Sequence, residues 1–282
     1  MPKFKQRIPW ARGIVVVGAS VLLGASACSL LTNYDGLEGT NGDASLVGPD
    51  AADAADAADA PDGPSWCETH AADASFCEDF DRFGLSRFTS IIRENGSVTL
   101  DPADASSPPY AMLARGDGPA QLRVGAFLAS SATASSATLS ADVRIEKTNQ
   151  AGSQTALLLQ LFFNPGLPTR FEVGVGVGGT GSGGPDHARI VYRNDAQTFA
   201  IVSSGASWPL QQWVRVTVHV MLAPDGGGAA DVDFDGVALV KGIPVGHTPG
   251  QGLTAFGVGV GYASPGHDGW VVQIDNVVFD PK

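Results

Sequence analysis

The chain has 282 residues, 44% of them hydrophobic, and a formal net charge of −12. The charge is uneven. No Lys or Arg occurs between residues 13 and 81, whereas residues 82–282 carry 16 acidic side chains against 13 basic ones. No basic patch of the kind that grips phosphate backbones is visible, which excludes a nucleic-acid partner from the expected functions.

In chain order, Lys3, Lys5, Arg7 and Arg12 precede a short apolar run at residues 14–23 and then the small residues Gly24, Ala25, Ser26 and Ala27 before Cys28. The run is shorter than the roughly 20 residues needed to span a bilayer. Residues 1–27 therefore read as an export signal with a small-residue processing site. Ala25-Ser26-Ala27-Cys28 resembles a bacterial lipobox, although Ala25 stands where Leu is usual. The resemblance implies cleavage before Cys28 and lipidation of its thiol. More than one acyl chain then gives stable membrane anchoring, at about 0.8 kcal/mol per buried CH₂. Ser29 after the Cys implies sorting to the outer membrane.

Residues 28–65 contain the repeat Ala-Ala-Asp at 51–59, with few large apolar side chains. Such a segment cannot offset its ordering entropy by burial. Its aspartates repel one another along one helix face. A disordered, extended acidic tether is the expectation, with a calcium-binding acidic tract as the alternative.

Residues 66–282 form the expected folded domain, a normal size for one all-β sandwich. Cys67 and Cys77 remain as an even pair once Cys28 is lipidated, and export favours a disulfide between them. A metal site of Cys67, His70 and Cys77 is the alternative, short of a fourth ligand. Beyond Cys77 the apolar residues recur at every second position. Leu139, Ala141, Val143 and Ile145 alternate with polar neighbours, as do Val214, Val216, Val218 and Val220. Residues 156–163 are apolar on both faces and predict a central strand. In 171–178 and 256–262, apolar residues alternate with glycine, which predicts either a bent sheet or a groove floor almost without side chains. Asp235-Gly236 between two alternating runs predicts a tight hairpin.

Four pieces together resemble the concanavalin A-like lectin/glucanase jelly rolls. They are Phe76-Cys77-Glu78-Asp79-Phe80-Asp81, the Trp-led run from Gln212 to Val218, the Asp-Gly hairpin from Val232 to Val237, and the closing run from Val272 to Phe279. The second and third are similar to laminin-G-like domains. The resemblance implies two curved antiparallel sheets packed face to face. It also implies a structural calcium where first and last strands meet, with Glu78, Asp79 and Asp275 as its oxygen ligands.

Hydrolases of this superfamily carry a Glu-x-Asp-x-x-Glu motif or a close variant, and no such spacing occurs here. No nucleophile elbow occurs either. The resulting expectation is a surface-anchored, non-catalytic module that binds carbohydrate. Trp208, Trp270, Tyr192 and Tyr262 are its candidate ring platforms, and Arg215 and His219 its polar contacts. A structural or protein-interaction lipoprotein of the envelope and an unrecognised glycoside hydrolase are the alternatives.

Overall fold

The structure is a computed structural model. It describes residues 63–116, 122–130, 134–147, 155–163, 171–178, 187–193, 199–245, 254–263 and 269–282. The expected export signal, Cys28 and almost all of the tether lie outside the described residues.

Two antiparallel sheets pack as a sandwich. The first runs β13 (Val237–Val245), β12 (Gly228–Phe234), β11 (Val214–Met221), β6 (Ser136–Lys147), β15 (Trp270–Pro281), β4 (Ala111–Gly116) and β3 (Gly96–Asp101). β1 (Phe76–Glu78) pairs with the end of β15, beyond the stretch that pairs with β4. The second sheet runs β10 (Phe199–Ser207), β9 (His187–Arg193), β8 (Phe171–Gly178), β7 (Thr155–Phe163), β14 (Thr254–Ala263), β5 (Leu122–Ser130) and β2 (Ser90–Glu94). The expected all-β jelly-roll architecture is present.

Binary patterning accounts for the layers. The apolar sets at 139–145 and 214–220 are buried along one face of β6 and β11. Phe171, Val173, Val175 and Val177 of β8 and Phe256, Val258 and Val260 of β14 meet them from the second sheet. Burying each such side chain contributes about 1.5–3 kcal/mol. One end of the core is aromatic, with Phe256 and Phe279 rings 4.8 Å apart and Phe76 5.4 Å from Phe256. Asp235 and Gly236 join β12 to β13 with φ of 48° and 76°, the paired positive values that a two-residue hairpin requires.

One helix, α1 (Trp66–His70), precedes the sandwich. Ser65 Oγ accepts from the Glu68 N–H while Glu68 Oε2 accepts from the Ser65 N–H, a reciprocal cap. A disulfide joins Cys67 of this helix to Cys77 of β1. The expected pairing is therefore made, and those thiols are not metal ligands.

Candidate functional site

The residues nominated from the sequence do not gather into one site. Trp208 is buried and meets Phe234 edge-on, with ring centroids 4.7 Å apart. Trp270 is also buried and belongs to the core. Neither indole can offer a ring face to a sugar, which corrects their reading as platforms. Tyr192 is partly buried against the core. Tyr262 pairs across the second sheet with Leu157, and its side chain lies outside the described residues. His219 and Arg215 stand on the outer face of the first sheet, where each already has partners. His219 Nδ1 is 2.9 Å from Thr138 Oγ1.

Arg215 is the hub of that face. Its Nη1 donates to Asp142 Oδ1 at 3.1 Å and to the Asn276 carbonyl at 2.6 Å, and its Nη2 donates to Ser140 Oγ at 2.8 Å. The guanidinium lies 5.0 Å from the centre of the Trp66 ring, so α1 caps it. Asp142 Oδ2 also accepts from Ser106 Oγ and Asn276 Nδ2. This network is closed, and its charges are matched.

The proposed calcium ligands lie beside it, all three buried. Glu78 Oε1 accepts from the Phe80 N–H at 2.9 Å, and Asp79 Oδ2 from the Cys67 N–H at 2.9 Å. Asp275 takes the N–H groups of Ser107 and Asn276, each at 2.8 Å. Among the described residues, no three His, Cys, Asp or Glu side chains stand where they could share a metal ion. Backbone amides hold these carboxylates, so the nominated trio does not fit a shared calcium. Burial pushes the Glu78 carboxyl up from 4.5 to about 8 and that of Asp275 from 3.8 to about 8. The Asp81 carboxyl, desolvated and close to Asp79, rises from 3.8 to about 7.

The outer face of the second sheet is different. On β8 the outward positions are Glu172, Gly174, Gly176 and Gly178. Gln160 pairs with Gly174 and Phe162 with Glu172, so Gln160 and Glu172 are diagonal neighbours on that face. Gln160 Nε2 donates to Glu172 Oε1 at 3.0 Å, and both side chains are buried, at 1% and 3% exposure. Gln160 Oε1 has no hydrogen-bond partner.

The glycines around this pair are not bare floor. A Cβ at Gly257 would fall 2.4 Å from the Phe127 ring, one at Gly174 3.2 Å from Leu157, and one at Gly261 1.8 Å from Gln160 Oε1. Side chains occupy the space over these three glycines, while Gly176 and Gly259 are met by neighbouring backbone, so the glycine stripes are filled rather than open. On β9, Arg189 pairs with Gly176, Arg193 with Glu172 and His187 with Gly178, which puts all three register positions on this outer face. His187 opens strand β9. Its Nδ1 is buried without a hydrogen-bond partner.

Sequence reading passed over Gln160 and Arg189. The signals were a single amide inside Leu-Leu-Leu-Gln-Leu-Phe-Phe, and the alternation of His187, Arg189 and Val191 with Ala188, Ile190 and Tyr192.

No family model matches the chain, and no curated protein matches it in sequence. Solved structures do match its fold. An endo-β-1,4-glucuronan lyase from Trichoderma reesei superposes with a TM-score of 0.56 at 17% identity, covering 74% of this chain and 96% of the lyase. An alginate lyase from Aplysia kurodai gives 0.53 at 10% identity, covering 74% and 99%. A cellulose-induced protein gives 0.51 at 14% identity, covering 74% and 98%.

These likenesses correct the expectation of a non-catalytic binder. That expectation rested on a missing hydrolase motif, and two of the three matched folds are lyases. A lyase eliminates rather than hydrolyses, so a missing hydrolase motif says nothing against it. The aromatic platforms on which the binding expectation also rested are buried.

Proposed function

We propose that this chain is a polysaccharide-processing enzyme that cleaves an acidic polymer by elimination across the outer face of the second sheet. The observation that carries the reading is the buried Gln160–Glu172 pair, with the Gln160 oxygen left over, on a glycine-rich face that also carries the register positions of His187, Arg189 and Arg193. Buried polar groups without partners are rare, and they concentrate where ligands bind. The match of 74% of this chain to nearly the whole of two lyase folds supports the same reading.

Elimination on a uronate needs three things. A cation draws charge from the carboxylate and so acidifies the neighbouring carbon. A base then removes the proton from that carbon. The electron pair forms a C=C bond, the glycosidic C–O bond breaks, and an acid protonates the departing oxygen. Arg189 supplies the cation in this reading, with Arg193 in the same register column. His187 is the candidate for proton transfer. Lipidated Cys28 would hold the enzyme at a membrane surface, on a tether running to residue 65.

The test is incubation of the purified chain with glucuronan and with alginate. The expected result is growing ultraviolet absorbance from new unsaturated ends as the polymers shorten. Unchanged chain lengths for every polyuronate tried would overturn the reading. New reducing ends without absorbance would reassign the chemistry to hydrolysis.

A further inference from the structure

We propose that Glu172 sets the polarity of this site: it holds the Gln160 amide so that the carbonyl oxygen, not the NH₂, faces the substrate, and the position therefore selects a sugar hydroxyl. The proposal rests on the reading above that a polysaccharide occupies the outer face of the second sheet.

A carboxylate accepts hydrogen bonds and does not donate them. With Glu172 Oε1 at 3.0 Å, the atom of Gln160 turned toward it must be the Nε2. The Gln160 Oε1 is thereby committed to the opposite side, where it has no hydrogen-bond partner. It lies over Gly261, at a point where any Cβ would come within 1.8 Å of it. Gly261 is what leaves room for the oxygen.

An acceptor fixed in this way welcomes an O–H donor and repels a carboxylate. The uronate carboxylate is therefore steered toward Arg189 of β9, and a hydroxyl toward Gln160. Glu172 itself touches no substrate in this scheme; it is a positioning residue.

The experiment uses the full chain with alginate and with O-acetylated alginate, which keeps its carboxylates but loses hydroxyl donors. In wild type, kcat/KM should fall about tenfold on acetylation, the worth of one strong hydrogen bond. In Glu172→Gln the partner can both donate and accept, so the Gln160 amide is free to turn. The ratio should shrink to about threefold or less, with the melting temperature unchanged. Equal ratios in the two proteins, or no discrimination by wild type, overturn the proposal.

A second measurement needs no turnover. The Gln160 side-chain NH₂ should exchange slowly with solvent in wild type and fast in Glu172→Ala, and its signals should shift when alginate oligosaccharide is added. Fast exchange in wild type, or no shift at saturating oligosaccharide, overturns the polarity assignment. Absence of cleavage together with slow exchange and a ligand-induced shift overturns the enzymatic reading alone.

Discussion

The Arg215 cluster on the outer face of the first sheet and the Gln160–Glu172 pair on the outer face of the second are built from the same alternation but end in opposite states. On the first sheet, Arg215, Asp142, Ser140, Asn276 and Ser106 match donors to acceptors, and α1 closes the cluster through Trp66. On the second sheet, Gln160 and Glu172 are buried more deeply, yet the Gln160 oxygen has no donor. A saturated polar network gives conformational definition and has nothing left to offer a ligand. An unsaturated one carries a standing cost that a ligand can relieve. The Arg215 cluster is therefore read as architecture and the Gln160–Glu172 pair as part of the working surface.

Three changes test that contrast. The largest effect is expected on the second face. Gln160→Leu fills the same space without polar atoms, and kcat/KM on a polyuronate should drop by about 100-fold, the scale seen when one positioned polar group is removed. Its stability should fall by about 1–3 kcal/mol, because the buried Glu172 oxygen loses its donor. A destabilised variant with intact activity would reverse the roles of the two faces.

Next is Arg215→Ala on the first face. It strands Asp142 without its counter-charge and exposes the Trp66 ring. Breaking a fully buried pair costs about 3–5 kcal/mol, and the partial exposure of Arg215 reduces this to about 2 kcal/mol. Denaturant unfolding should show that loss, with kcat/KM unchanged for the folded fraction. A loss of activity without loss of stability would move the site to the first sheet.

The last test is the pH dependence of stability. Folded Glu78 and Asp275 titrate near 8 and Asp81 near 7; in the unfolded chain such groups titrate near 4. Between those limits the folded state binds more protons than the unfolded one, so stability falls as pH rises through the window. The melting temperature should be higher at pH 5 than at pH 8. The opposite order would mean that these carboxylates have charged partners beyond those described.

The sequence exposed the layers better than the site. Strict alternation in β11 maps directly onto its buried and half-buried positions, and Asp235-Gly236 takes the turn its chemistry demands. Trp270 was also readable, since it shares the parity of Val272 and Ile274, which are core. Treating it as a platform weighed residue type above position. The glycine stripes misled for another reason. What lies over Gly257 or Gly261 comes from β5 or β7, and strand register across the sheet is not written in either segment alone. The Gln160–Glu172 pair has the same origin. Each residue is ordinary in its own strand, and only the pairing of β7 with β8 brings them together.

The position of β15 has a consequence for how the molecule is made. Its residues, 270–281, join β6, β4 and β1, all from the first 147 residues. A ribosome adding about 5–20 residues per second needs several seconds to travel from β6 to β15. Through that interval the nascent first sheet has an unfilled slot at its centre, with β6 and β4 each offering a bare edge. Long-range pairing of this kind slows folding and exposes edges to wrong partners. Such a chain must be shielded, or kept unfolded, until its fifteenth strand arrives.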